Sequence, residues 1–191
     1  MARRTSLGVA VALLALAACD SNDVPSPAQR EADGLRPPSP QVTDTVELRG
    51  DGLAAGPEAF YFAAGRREVE TALSAILGEP SGTSANDECG AGPMEMTDFE
   101  GGLTVNTAND VLVGWLWRMP QEGDAPPAQD IALVGDLQLG SSRAEAEAAR
   151  GFLAITDSTL GEEFSLGTQL GGFIEADQVS MLYAGTQCFF R

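Results

Sequence analysis

Acidic side chains are the most frequent groups in this sequence that could do chemistry. The chain has 28 Asp and Glu residues against 11 basic residues, and it has no histidine. The acids form close pairs at Asp87–Glu88, at Asp98 with Glu100, and at Glu162–Glu163. Paired carboxylates can act as general acid and base, as they do in glycoside hydrolysis. With so many acids such pairs also arise from composition alone, so the sequence assigns no catalytic residue.

The lack of histidine excludes Ser-His-Asp and Cys-His catalysis and histidine-ligated zinc. No Gly-x-Gly-x-x-Gly motif opens a helix after a strand, and no Walker loop occurs, so a nucleotide is not expected. The run Asn86–Gly90 (NDECG) offers oxygen ligands for calcium, but it lacks the Asp-x-Asp-x-Asp-Gly loop and is expected to be solvated. Ser141 and Ser142 are expected to cap a helix. The sequence therefore predicts no cofactor and no metal site.

Three cysteines remain as reactive groups, and the first of them follows an apolar run. Two arginines precede Leu7–Ala18, which is shorter than the ~20 residues of a membrane-spanning helix and is typical of a secretory signal. The sequence LAAC that ends at Cys19 resembles the bacterial lipobox, in which the cysteine receives diacylglycerol and becomes the new N-terminus. The resemblance implies removal of residues 1–18, a lipid and palmitate anchor on Cys19, and a place in the bacterial cell envelope, facing the periplasm or the exterior. The alternative is a plain signal peptide with an incidental cysteine.

The other two cysteines are expected to form a disulfide, because the envelope outside the cytoplasm is oxidising. A bond between Cys89 and Cys188 would close a loop of about 100 residues. The alternative is a pair of free, buried thiols.

Charge limits the partners that this chain can have. Residues 1–18 carry two of the 11 basic residues and no acid, so the remaining chain has nine basic and 28 acidic residues, a formal charge of −19. Such a surface repels nucleic acid, whose binding depends on basic residues. The expected partners are the membrane, through the lipid anchor, and a protein of the envelope.

Composition divides the chain after the signal into a tether and a domain. Residues 19–44 contain five prolines and almost no large apolar side chain, which indicates a disordered tether. Residues 45–191 are enough for a single domain with its own core. A Pro-rich loop, 119–130, separates two halves of this domain, 45–118 and 131–191.

Each half begins with a short apolar strand and continues with a helix and further strands. In the first half Val69, Leu73, Ile76 and Leu77 lie on one face of a helix that ends at Gly78. The expected fold class is α+β, an antiparallel sheet with one helix per half. The two halves are either tandem copies of one β-α-β-β-β unit or unrelated segments that both happen to begin with a strand and a helix. The strands are predicted at Phe60–Phe62, Pro93–Phe99, Gly102–Asn106, Val111–Arg118, from Ile131, and at Glu162–Leu166, Gly171–Glu175, Gln178–Gly185 and Thr186–Arg191.

Two tryptophans lie on the predicted strand Val111–Arg118. Val111, Val113, Trp115 and Trp117 alternate along it and are expected to share a face. Trp115 and Trp117 fit two alternatives, a place in the core or an exposed aromatic patch that binds a partner or a glycan.

The run Leu137–Ala148 (LQLGSSRAEAEA) resembles the opening of small bacterial envelope modules, in which a strand and a glycine precede a helix. Together with LGEP after the first helix, it is similar to the β-barrel assembly lipoprotein BamE (the SmpA/OmlA family), which has one such unit. The β-lactamase inhibitory proteins have two units in tandem. The resemblance implies this fold, and a fold does not assign a function.

The combination of an anchor, a tether and an acidic domain favours a non-enzymatic, lipid-anchored envelope lipoprotein that binds another protein or acts in assembly. Two alternatives stay open. One is an envelope enzyme that uses acidic residues alone, such as a glycan hydrolase or lyase. The other is a lipoprotein that binds a small ligand or a metal.

Overall fold

The computed structural model describes residues 44–120, 130–135 and 137–189. All of these described residues belong to one compact unit. Strands make up 48% and helices 13% of the structure, so the fold is mainly β. The expected α+β class with one helix per half is therefore only partly correct, because the second helix has just six residues. The signal, Cys19 and nearly all of the predicted tether lie outside the described residues, as do residues 121–129 of the Pro-rich loop.

Two helices and twelve strands make up the regular structure of the described chain. The helices are α1 (Arg66–Leu77) and α2 (Arg143–Ala148). The strands are β1 (Val46–Arg49), β2 (Gly52–Ala55), β3 (Glu58–Tyr61), β4 (Gly82–Asn86), β5 (Met94–Phe99), β6 (Leu103–Ala108), β7 (Val111–Arg118), β8 (Ile131–Leu133), β9 (Phe152–Ile155), β10 (Glu162–Leu166), β11 (Leu170–Glu175) and β12 (Gln178–Gly185).

These strands form a small and a large sheet. The small sheet has the order β3-β2-β1-β8, and the large sheet has the order β4-β5-β6-β7-β12-β11-β10-β9. Neighbours are antiparallel throughout the large sheet. In the small sheet β1 pairs with β8 in parallel, which joins the beginning of the domain to the start of its second half.

The two halves of the large sheet share one arrangement. In each half a helix is followed by a meander of four strands, β4 to β7 after α1 and β9 to β12 after α2. Leu103 and Leu170 begin β6 and β11, while Val111 and Gln178 begin β7 and β12, a separation of 67 residues in both cases. The predicted β-α-β-β-β order is wrong in its details, because each meander has a fourth strand and the opening strands form the separate small sheet.

The start of each helix is fastened to its own meander in the same way. Gly65 bridges to Val111 and Ser142 bridges to Gln178, so each helix begins beside the last strand of its half. The side chain of Ser142 accepts a hydrogen bond from the Glu145 N–H, and Glu145 accepts from the Ser142 N–H, which completes a capping box. The pKa of Glu145 lies below its usual value, because its carboxylate accepts hydrogen bonds from the Ser142 N–H and from the Ser142 hydroxyl. The expected N-capping by serine is confirmed at Ser142.

A bulge in β7 decides which of its side chains face the core. Asn106 of β6 pairs with Gly114, but the next residue, Thr107, pairs with Leu112. Val113 is therefore an extra residue in β7, and the alternation of faces reverses there. β12 contains the equivalent irregularity at Ser180.

Because of this bulge, the prediction that Val111, Val113, Trp115 and Trp117 share one face of β7 is wrong. Trp115 and Trp117 are buried and Leu112 joins them in the core, whereas Val111 and Val113 are only half-buried. A strict period of two would bury Val113 instead of Leu112, and one extra residue removes that pattern.

The core lies between α1, the small sheet and one face of the large sheet. Along α1 the buried residues are Val69, Leu73 and Leu77, as their helical spacing predicts. The fully buried large side chains are Trp115, Phe164, Leu48, Leu53, Leu73, Leu103, Leu112, Leu182, Val46, Val69, Val105 and Val179. Both sheets and both halves contribute to this set, so they share one continuous core.

The predicted strand at Thr186–Arg191 is wrong for the residues that the structure describes. Gly185 has a φ of 71°, which turns the chain out of β12. Residues 186–189, named here the C-terminal segment, have no strand structure and make their hydrogen bonds largely through side chains.

Candidate functional site

The large sheet has a second face, named here the outer face, that points away from the core. Along β12 Leu182 and Ala184 are buried in the core, so Met181 and Tyr183 point to the opposite side. Leu116 of β7 pairs with Tyr183 and lies on the same outer face. Met181, Tyr183 and Leu116 are each half-buried. A strand with apolar side chains on both faces indicates that the outer face also makes contacts.

A groove with a volume of about 390 Å³ lies on this face and is named here the outer groove. Arg118 and Glu175 contribute charged groups to its wall. Met119 is 37% exposed and presents its thioether side chain to the groove. The apolar side chains that line the groove are Met119, Pro120, Leu160, Phe173, Met181 and Phe189.

The C-terminal segment forms part of the groove wall through Phe189. The ring centroid of Phe189 lies 5.1 Å from that of Tyr183 and 5.6 Å from that of Phe173, with edge-to-face geometry in both pairs. Such aromatic pairs stabilise a contact beyond the area that they bury. One wall of the groove is therefore a short segment without strand structure, and the floor is the sheet.

Two amide side chains hold this segment on the outer face. Asn106, which is buried, donates from Nδ2 to the Thr186 carbonyl at 3.1 Å and to Gln187 Oε1 at 3.0 Å. Gln187 in turn donates from Nε2 to the carbonyls of Trp115 at 3.0 Å and Ala184 at 2.8 Å. These bonds satisfy polar groups at the boundary between β7 and β12, where the two halves of the sheet meet.

A tyrosine–glutamate pair lies beside the groove. Tyr183 donates its hydroxyl to Glu163 Oε1 at 2.6 Å, and Glu163 is 2% exposed. The phenol crosses Gly171 of the strand between them, where a Cβ atom would lie 2.2 Å from Tyr183 Cζ. A glycine is thus required at position 171 for Tyr183 to reach Glu163.

The two cysteines of the domain contact each other. Cys89 is buried in the connection from β4 to β5, and Cys188 lies in the C-terminal segment. A side-chain hydrogen bond with Cys89 raises the pKa of Cys188, and desolvation raises it further. Asn86 Nδ2 donates to Cys188 Sγ at 3.2 Å. Both cysteines are free thiols in this structure, so the sequence-based disulfide is not formed in it and stays a prediction.

The tryptophans belong to the core. Trp115 donates from Nε1 to the carbonyls of Arg49 and Gly52, at 2.8 and 2.9 Å, and Trp117 donates to the Gly101 carbonyl at 3.1 Å. Both indoles are buried, so the alternative of an exposed binding patch at Trp115 and Trp117 is wrong. The bulge and the two hydrogen bonds of Trp115 position its ring inward, between the two sheets.

The acidic pairs are spread over different parts of the domain. Arg143 donates to Asp177 and to Glu162, and these two hydrogen bonds, with Asp177 as the larger cause, raise the pKa of this arginine above its ordinary value. The ion pair of Arg143 with Glu162 has an N–O distance of 2.5 Å. Asp87 and Glu88 lie exposed in the connection after β4. Ion pairing and solvent exposure are the structural roles that these acids have here.

Of the acidic pairs that the sequence indicates, Asp98 and Glu100 line a common pocket. Asp98 accepts a hydrogen bond from the Thr104 hydroxyl at 2.6 Å. Asp98, Glu100 and Arg118 line a pocket of about 250 Å³ at the end of β5 and β6. This pocket is where an acid-based enzyme would have its two carboxylates.

The described residues include no group of three or more Cys, Asp and Glu side chains placed to hold a metal ion. In the run Asn86–Gly90 the Asn86 side chain accepts from the Glu88 N–H and donates to Cys188, so this amide has partners within the protein. No helix of the described chain has the length and apolarity needed to cross a membrane.

Comparison of the chain with protein-family models, with curated proteins and with solved structures found no significant match. The resemblance to BamE and to the β-lactamase inhibitory proteins stays a prediction.

The outer groove is the candidate site that sequence patterns did not indicate. Its lining residues come from β11, β12, the end of β7 with the two residues after it, the connection from β9 to β10, and the C-terminal segment. The one signal in the sequence is that Met181 and Tyr183 alternate with Leu182 and Ala184, which makes β12 apolar on both faces. Phe189 carries no such signal, because its place depends on the turn at Gly185.

Proposed function

We propose that this protein is a lipid-anchored lipoprotein of the bacterial cell envelope whose domain binds another envelope protein at the outer groove. The anchor in this proposal is Cys19, and residues 20–44 are the tether. The proposal is supported by the lipobox pattern and by the groove, and it describes a binding module rather than an enzyme.

The observation that carries the binding role is the apolar lining of the outer groove. The core accounts for one face of the large sheet, yet Met119, Met181 and Phe189 lie on the other face without being fully buried. Methionine and aromatic side chains are enriched where proteins bind one another, and methionine adapts to different partner shapes. A partner side chain that enters the groove would remove these apolar groups from water.

Charge defines the partner's chemistry. The chain after residue 18 carries a formal charge of −19, while the groove wall itself has one charged group of each sign, Glu175 and Arg118. We expect the partner to present an apolar side chain flanked by lysine or arginine. Complementary charge of this kind mainly accelerates association, and its effect falls as salt is added.

A variant of Met119 tests this proposal. Met119→Asp adds a charge at the groove wall, and it is expected to lower cross-linking of the protein to its envelope partner by about tenfold or more, as hot-spot substitutions do. The experiment is in-membrane cross-linking of the tagged full chain, followed by mass spectrometry. The captured partner is then purified, and its affinity for each variant is measured at low and at high salt.

Val134→Asp is the matched control. Val134 is an apolar residue that is 52% exposed, and it lines a separate pocket with Glu47 and Arg49 rather than the outer groove. This variant carries the same added charge and is expected to retain the partner. Equal loss of the partner with both variants, or with neither, contradicts binding at the outer groove.

The envelope-enzyme alternative is favoured by pockets that acidic side chains share. Asp87, Glu95 and Asp110 line a pocket of about 380 Å³, which like the outer groove falls within the ~300–1,000 Å³ of ordinary ligand sites. Asp98 and Glu100 line a second pocket, which at about 250 Å³ is smaller. An Asp98→Asn variant separates the two functions, because it removes a carboxylate from the pocket and leaves the outer groove unchanged. Protein binding is expected to survive this substitution.

A further inference from the structure

Two thiols from distant parts of the chain meet at the outer face, where a disulfide can form between them. Cys89 and Cys188 are 99 positions apart in the sequence, yet Asn86, three residues before Cys89, donates from Nδ2 to Cys188 Sγ at 3.2 Å. We propose that this pair is an oxidative modification site, at which a disulfide fastens the C-terminal segment and thereby fixes the Phe189 wall of the outer groove. The effect on partner binding rests on the function proposed above, whereas the formation of the bond does not.

The surroundings of the thiols favour a bond between these two cysteines. Cys188 receives a hydrogen bond from Asn86, which lies at the end of β4, three residues before Cys89. The C-terminal segment is held independently by Asn106 and Gln187. The two sulfur atoms are thus brought together by contacts that do not depend on a covalent bond.

Exposure assigns the order of the reaction. Cys188 is half-exposed and Cys89 is buried, so Cys188 reacts first. It loses its proton to solvent, and the resulting thiolate attacks the disulfide of an envelope protein of the thiol–disulfide oxidoreductase class. This step forms a mixed disulfide and releases one thiolate of the oxidoreductase. Cys89 then loses its proton to solvent and displaces the second oxidoreductase sulfur from Cys188. The two cysteines lose two electrons, and the oxidoreductase disulfide becomes a dithiol.

The consequence follows from the position of Phe189, the neighbour of Cys188. In the reduced protein the segment is held by hydrogen bonds and by the ring contacts of Phe189 with Phe173 and Tyr183. A covalent link at the preceding residue restricts the places that Phe189 can reach. Binding to a wall that is already ordered costs less conformational entropy, so we expect the oxidised form to bind the partner more tightly.

The bond can be detected in the full chain without knowledge of the partner. Intact cells are treated with an alkylating reagent, and the protein is digested with trypsin without reduction. Cleavage after arginine places Cys89 in the peptide 68–118 and Cys188 in the peptide 151–191. We expect a linked pair of these peptides that separates on reduction. Recovery of both peptides unlinked and alkylated overturns the modification site.

A second measurement tests the role of the bond. The oxidised and reduced forms of the unaltered protein are compared, with Cys188→Ser as a variant that cannot form the link. The oxidised form is expected to melt about 10 °C higher and to bind the partner about tenfold more tightly than the other two. Equal affinity of the oxidised and reduced forms overturns the effect on the groove. If Met119→Asp binds normally while the linked peptide is present, the proposed function fails and the modification site stands.

Discussion

At the scale of single residues, the outer face is stabilised by polar side chains that form hydrogen bonds with groups on other strands or on the C-terminal segment. Tyr183 reaches across Gly171 to Glu163, and Asn106 reaches the backbone of the C-terminal segment. Buried polar groups of this kind stabilise a structure only while their partners are present, since each lost partner leaves a desolvated group behind. The residues that shape the outer face are therefore sensitive to substitutions that remove one or two atoms.

Tyr183→Phe is expected to lower the free energy of unfolding by about 1–3 kcal/mol, because it removes the hydroxyl that donates to the buried carboxylate of Glu163. Chemical denaturation of the two proteins measures this difference. Tyr61→Phe is the control, since Tyr61 is 60% exposed and a surface change of this type stays within about 0.5 kcal/mol. Equal stabilities of Tyr183→Phe and the unaltered protein would show that the hydrogen bond is energetically neutral.

At the scale of elements, the junction between β7 and β12 joins the two meanders into one sheet. Gly114 lies at this junction, paired with Gly185, and the C-terminal segment passes directly over it. The approach is possible only because position 114 has no side chain. The local backbone thus determines where the segment that carries Cys188 and Phe189 can lie.

Gly114→Ala is expected to destabilise the domain by about 1–3 kcal/mol and to displace the C-terminal segment, as overpacking does elsewhere. The added Cβ would lie 2.4 Å from the Thr186 carbonyl oxygen and 2.9 Å from that of Ala184, and both are backbone atoms that cannot rotate away. Thermal denaturation measures the loss of stability, and faster alkylation of Cys188 reports the displaced segment.

Gly82→Ala supplies the comparison for this prediction. Gly82 lies in the edge strand β4, and the nearest atom to an added Cβ there is 3.6 Å away, at Asp98. This variant is expected to keep the alkylation rate of the unaltered protein. A Gly114→Ala protein with unchanged stability and unchanged Cys188 reactivity would contradict the close approach.

Strands with strong apolar patterns could be predicted from the sequence, and strands of small residues could not. The bounds of β7, β10 and β12 agree with the sequence patterns, and so does the apolar face of α1. In contrast β4 (GTSAN) and β2 (GLAA) have few large side chains, and they are strands because neighbouring strands supply hydrogen bonds. Pairing partners of this kind lie outside any local window of the sequence.

The candidate site was harder to predict than the fold, because tertiary contacts create it. One extra residue in β7 moves Val113 out of the core and Leu112 into it. The turn at Gly185 turns the predicted final strand into the segment that borders the groove. Neither event changes the local apolar pattern, so the place of Phe189 follows only from the folded chain.

At the scale of the whole molecule, the acidic charge and the proposed anchor determine what the domain can meet. A formal charge of −19 after residue 18 disfavours nucleic acid and anionic lipid, and it favours a basic protein surface. An acyl anchor would keep such a domain beside the membrane despite this repulsion, since each buried CH₂ contributes about 0.8 kcal/mol. The domain would then search for partners within the reach of its tether.

Cys19→Ala is expected to move the protein from the membrane fraction to the soluble fraction of the cell, because it removes the thiol that would carry the lipid. Fractionation followed by immunoblotting measures the distribution. Cys188→Ala is the control, since it removes a cysteine that has no part in the anchor, and it is expected to stay with the membrane. Retention of Cys19→Ala in the membrane fraction would contradict lipid attachment at this residue.

The position of β1 has a mechanical consequence. The chain enters the domain at Val46, and β1 lies between β2 and β8 rather than at an edge of the small sheet. Tension applied through residues 1–45 is therefore carried by two rows of hydrogen bonds at the same time, instead of peeling away a single edge strand. Resistance to forced unfolding is governed by the unfolding rate, and this double attachment is expected to slow that rate under load. A membrane that pulled on the domain through the proposed anchor at Cys19 would then not extract the first strand.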